Sequence, residues 1–111
     1  MSEYIPDKWV VVKITGPNTS SIYKVFACWY GGYEGSDSWK LNSGITKATL
    51  EGYVYSFEGS SGSVYHCHPD AYGTNSYGHG VLHNMIDNAK NNGVSVEILP
   101  EETKWMELNY E

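Results

Sequence analysis

Runs of β-branched and aromatic residues, some of them alternating with polar residues at a period of two, are typical of β-strands. Such runs predict strands at residues 8–14, 21–30, 52–59, 63–68 and 94–99. The stretch SWKLNSGITKATL, residues 38–50, predicts either two short strands around Ser43-Gly44 or one bent strand. Both faces of 21–30 are largely apolar, which favours a central place in a sheet. Short turns favour two antiparallel hairpins, 8–14 with 21–30 and 52–59 with 63–68.

After Pro69 the period changes to that of a helix. One stripe at helical spacing contains Val81, Leu82, Met85, Ile86 and Ala89. Thr74, Asn75 or Ser76 can cap the start, and Gly93 is suited to the position just past the end. The pattern predicts an α+β fold in which an antiparallel sheet of about six short strands carries one helix, at about residues 76–91, on one face.

Length and charge narrow the classes of function. With 111 residues, the chain is predicted to be a single domain, 1–111, in which the acidic segment 101–111 either docks on the domain or binds a partner. A net charge of −6 argues against DNA or RNA as a partner and permits a basic protein. No apolar run is long enough to span a membrane, and the start MSEYIPDKW lacks the features of a signal peptide. We therefore expect a cytoplasmic protein, with Cys28 and Cys67 as buried free thiols.

All four histidines lie between residues 66 and 83, in SVYHCHPDAYG and GHGVLH. His66, His68, His79 and His83 could supply four nitrogen ligands to a tetrahedral zinc ion. On a helical wheel, however, His83 lies well away from the stripe that faces the sheet. We expect SVYHCHPDAYG to be chiefly structural, a strand ending at Pro69, and the four-histidine metal or ligand site remains the alternative hypothesis.

No motif of an enzyme is found, and no cofactor is expected. Cys67 and its neighbours His66 and His68 point to opposite faces of a strand, so they cannot pair as thiolate and base. GSSGS lacks the spacing of a nucleophile elbow, and the Gly-rich loops lack the strand-to-helix step of a phosphate site. The sequence favours a protein that is not an enzyme.

Aromatic side chains surround the Gly-rich loop at residues 31–38. Trp29, Tyr30, Tyr33 and Trp39 either pack at the rim of the core or form a protein-binding surface, since Trp and Tyr are typical interface anchors. A second copy of the chain is a further partner that the sequence allows.

Three stretches, KWVVVKI, DSWKLNSGI and GSVYHCHPDAYG, resemble small uncharacterised proteins encoded by tailed bacteriophages. The resemblance covers residues 8–73 and carries no catalytic or ligand residue with it. It implies an accessory protein made in a bacterial cytoplasm that binds or inhibits a host protein, including a component of host defence.

Overall fold

A computed structural model describes residues 2–31 and 37–110, and within them the chain forms strands, one α-helix and two 3₁₀ turns. The strands are β1 (Glu3–Tyr4), β2 (Lys8–Thr15), β3 (Ile22–Trp29), β4 (Ser38–Leu41), β5 (Ile45–Glu51), β6 (Val54–Gly59), β7 (Val64–Cys67) and β8 (Ser95–Ile98). The helix α1 is Ser76–Asn91, and the 3₁₀ turns are Pro69–Ala71 and Trp105–Glu107.

The strands of the described residues form two sheets of four, not the single sheet of about six that the sequence predicted. The outer sheet has the order β1-β7-β6-β5, and the central sheet has the order β4-β3-β2-β8. The α+β class and the two hairpins are confirmed, since β2 pairs with β3 and β6 with β7 in antiparallel fashion. The short strand β1, which was not predicted, pairs in parallel with β7.

The chain passes from the central sheet to the outer sheet at residues 42–44, between the end of β4 and the start of β5. The Asn42 side-chain oxygen accepts the Val25 N–H at 2.8 Å, and the Asn42 N–H donates to the Val25 carbonyl at 3.0 Å. Gly44 has a φ of +133°, a conformation open to glycine. The chain therefore leaves the central sheet here and enters the outer one as a separate strand.

The central sheet is apolar on both faces because it has a layer on each side. Val25 and Ala27 of β3 face the outer sheet, in a core completed by Phe57 and Tyr65. The alternate residues Phe26 and Cys28 face α1. The predicted central place of this strand is confirmed, since β3 lies between β2 and β4.

The helix begins and ends where its capping residues predict. The Asn75 side chain accepts the Gly78 N–H at 2.7 Å. At the other end Gly93 has a φ of +76°, and the Val94 N–H donates to the Ala89 carbonyl at 2.8 Å. These bonds satisfy backbone groups that a helix end leaves open.

Candidate functional site

The C-terminal segment is docked on the edge of the core. The Leu99 N–H donates to the Val11 carbonyl at 3.0 Å and carries the chain past the end of β8. Thr103 then closes a turn by donating its hydroxyl to the Pro100 carbonyl at 2.6 Å. The following 3₁₀ turn directs Trp105 inward, where only 2% of its surface stays exposed.

Three aromatic rings interlock beneath this segment. The centroid of Trp105 lies 5.6 Å from those of both Trp9 and Tyr72, and the Trp9 and Tyr72 rings meet edge to face at 4.7 Å. The Trp9 indole N–H donates to the His68 carbonyl at 2.7 Å, which ties the ring to the end of β7. The polar atom of the Trp9 ring therefore has an internal partner, and the apolar surfaces of the three rings pack against one another.

The Tyr72 hydroxyl bridges two backbone groups just past the end of β8, where β2 and the following residue Leu99 are no longer joined by a direct pair of bonds. It accepts the Val11 N–H at 3.2 Å and donates to the Leu99 carbonyl. Burial raises the pKa of Tyr72 to about 12, against the effect of the Val11 hydrogen bond, and the charges of Glu101 and Glu102 act in the same direction as burial. The hydroxyl therefore lies in a negative potential from the segment above it.

A groove of 390 Å³ opens between the docked segment and these rings. We call it the tail groove. It is lined by Trp9, Tyr55, Pro69, Tyr72, residues 101–104, Trp105, Met106 and Glu107. Its rim carries the exposed carboxylates of Glu101, Glu102 and Glu107 against one ammonium, that of Lys104. Lys104 lies 3.9 Å from Glu107, and within residues 2–31 and 37–110 no cationic side chain pairs with Glu101 or Glu102.

The structure does not bring the predicted aromatic surface together. Cys28 pairs with Trp39 across β3 and β4, so Trp39 projects from the helix side of the central sheet, where its ring stacks on Phe26 at 5.5 Å. Trp29 projects from the opposite side and donates its indole N–H to the Ile5 carbonyl at 2.9 Å. Tyr30 is 56% exposed.

The remaining member of that surface, Tyr33, lies outside the described residues. Among the described members, Trp29 and Trp39 cannot contact a partner together from one face of the sheet. The register of β3 and β4 causes this separation, because neighbouring strand positions project to opposite faces.

The four histidines do not form one cluster either. Within residues 2–31 and 37–110, no three His, Cys, Asp or Glu side chains come together as metal ligands. His66 projects from the outer face of the outer sheet, where its nitrogens contact Ser56 Oγ at 2.9 Å and Glu3 Oε1 at 2.7 Å. His68 is exposed at the end of β7. His79 and His83 are exposed on α1, with ring centroids 4.1 Å apart.

Both cysteines are buried free thiols, as predicted. Burial raises the pKa of each thiol, most strongly that of Cys67, which packs with Tyr65 in the core between the sheets. A thiol whose ionisation is opposed in this way is a poor nucleophile.

The tail groove is a site that the sequence did not predict. Its trace in the sequence is the pair Trp105-Met106 set among Glu101, Glu102 and Glu107. That pattern is compatible with docking or with partner binding, and the structure shows the docked arrangement, with Trp105 buried against the core.

Comparisons with protein-family models, curated proteins and solved structures find no match for this chain. In the described part of the chain, no helix has both the length and the apolar character that crossing a membrane requires.

Proposed function

We propose that the protein is a non-enzymatic binding protein whose tail groove receives a basic segment of a partner protein. The observation that carries this proposal is the combination of an aromatic floor with a rim of carboxylates in one concave site. The volume of the groove lies in the range typical of small-molecule sites, and it is large enough to receive one side chain of a protein segment.

A lysine or arginine side chain matches the groove in both of its parts. Its cationic end is attracted to Glu101 and Glu102, and its aliphatic stem can lie along the half-buried rings of Tyr55 and Tyr72. The net charge of −6 favours approach of a basic partner over a longer range. Trp9 and Trp105 are too deeply buried to contact the partner and act as the rigid support.

The resemblance to phage-encoded proteins supplies a biological setting for this proposal. In that setting the protein is an accessory factor in the bacterial cytoplasm that binds or inhibits a host protein. The alternative, a metal or ligand module built from all four histidines, has less support because His66 and His68 lie apart from His79 and His83.

The first prediction concerns capture of a partner from bacterial lysate. We expect the wild-type protein to enrich a basic protein, and the double variant Glu101→Gln/Glu102→Gln to lose it, because the variant removes the uncompensated rim charges. The matched control is Glu51→Gln/Glu97→Gln, which makes the same change in net charge at exposed positions outside the groove. Quantitative mass spectrometry of the captured proteins measures all three.

Equal loss in the control would mean that net charge alone attracts the protein. Enrichment that survives the Glu101/Glu102 variant unchanged, or no enrichment by the wild type, would refute the groove as the binding site.

A further inference from the structure

Two of the four histidines lie side by side on one flank of α1. His79 and His83 are one helical turn apart, and their ring centroids are 4.1 Å from each other at an angle of 46°. Both side chains are exposed, and a Cβ built at Gly80 between them would meet nothing within 4 Å. The rings are therefore open to solvent on a rigid, capped helix.

This spacing suits a metal ion. Histidines at positions i and i+4 of a helix present one nitrogen each to the same point, at ligand distances of about 2 Å. The other two histidines are less suited to bind a metal ion. Both ring nitrogens of His66 already contact other side chains, those of Ser56 and Glu3. His68 is exposed, but the histidine nearest to it in the sequence is this engaged His66.

We propose that His79 and His83 form a two-histidine clamp for a late first-row divalent ion such as Zn²⁺, Ni²⁺ or Cu²⁺. Imidazole is the ligand that these ions prefer, whereas Mg²⁺ and Ca²⁺ prefer oxygen. Two protein ligands leave the remaining coordination positions open for water or an exchangeable ligand. The clamp is independent of the tail groove. The two histidines lie on α1, which packs on one face of the central sheet, whereas the groove lies beside the core on the other face, between the two sheets.

The test is calorimetric titration of ZnCl₂ and NiCl₂ into untagged wild-type protein and into His79→Ala, His83→Ala and His68→Ala. All three replaced side chains are exposed, so each variant should fold as the wild type does. We expect one ion per chain in the wild type and in His68→Ala. In His79→Ala and in His83→Ala, loss of chelation should weaken binding by about a hundredfold.

Nuclear magnetic resonance and thermal unfolding test the same binding without relying on the heat of titration. Zn²⁺ should shift the ring-proton resonances of His79 and His83 and leave those of His68 in place, and it should raise the melting temperature of the wild type but not of the two helix variants. Equal affinity in all four proteins, or equal weakening in His68→Ala, would overturn the clamp. Binding of Mg²⁺ as tight as that of Zn²⁺ in the same titration would also overturn the clamp, because Mg²⁺ is bound by carboxylate oxygens and not by imidazole nitrogens.

Discussion

Among single residues, Tyr72 joins parts of the molecule that lie far apart in the sequence. Its ring contacts Trp9 and Trp105, and its hydroxyl bonds backbone groups of Val11 and Leu99. In the sequence this residue stands in a turn, DAYG, with nothing to mark it as a core residue. Its partners lie far away along the chain, so no local pattern could identify its role.

We predict that Tyr72→Phe lowers the free energy of unfolding by about 1–3 kcal/mol, because the Val11 N–H would remain partly buried without an acceptor. Tyr53→Phe is the control. Tyr53 is 62% exposed and its hydroxyl bonds only the exposed Asp70, so its loss should change stability by about 0.5 kcal/mol or less. Urea denaturation measures both, and equal effects of the two changes would contradict the role given to Tyr72.

At the scale of elements, α1 approaches the central sheet most closely through a glycine. Gly78 is buried, and a side chain there would overlap the Sγ of Cys28 and crowd Asn75, the residue that caps the helix. The close approach lets Leu82, one turn on, reach the core formed by Phe26 and Cys28.

We predict that Gly78→Ala destabilises the protein by about 1–3 kcal/mol through overpacking, although alanine is the better helix former. Gly80→Ala tests the helix preference alone, because a Cβ at that position meets nothing within 4 Å. It should stabilise the protein by about 0.5–1 kcal/mol. Thermal unfolding followed by circular dichroism distinguishes the two, and a stabilised Gly78→Ala would show that the helix shifts away at little cost.

The elements themselves differ in how well the sequence predicts them. The bounds of α1 follow from Gly93 and from the candidate caps Thr74, Asn75 and Ser76, of which Asn75 is the cap, because capping depends on residues within a few positions of the helix end. Strand partners depend on contacts between distant residues. The two apolar faces of β3 indicated a covered strand, but they could not say whether a helix or a second sheet covers each face.

Register limits the prediction of sites in the same way. Trp29 and Trp39 are near each other in sequence, yet the pairing of Cys28 with Trp39 places the two indoles on opposite faces. A shift of one residue in that register would have put them on one face. The tail groove was missed because its floor and its rim come from four separate parts of the chain.

At the scale of the whole molecule, the cores hold several tyrosines in the neutral form. Burial raises the pKa of Tyr65 and of Tyr72 to about 12, from an ordinary value of 10.0, and it raises the pKa of Tyr110 as well. The unfolded chain loses these protons near pH 10, whereas the folded chain keeps them until about pH 12. Over that range the folded state binds more protons than the unfolded state.

We therefore predict that stability is unaffected by these groups below about pH 10 and falls as the pH rises from about 10 to about 12. Each proton held only by the folded state contributes a slope of about 1.4 kcal/mol per pH unit. Urea denaturation at a series of pH values measures the slope, and Tyr72→Phe should make it shallower. A slope that the substitution leaves unchanged would mean that Tyr72 does not contribute to the alkaline loss.

The packing of Trp105 on Trp9 also governs when the molecule can assemble. The two residues lie near opposite ends of the sequence, and β1 likewise pairs with residues far along the chain, in β7. Contacts between such distant positions slow folding, because a long loop must close before the contact is gained. On the ribosome, β2 and β3 can pair early and Tyr72 can pack on Trp9, yet the part of Trp9 that contacts Trp105 stays uncovered until Trp105 has emerged. The nascent chain thus carries an unfinished apolar surface until Trp105 has emerged, and the core between the sheets is completed only then.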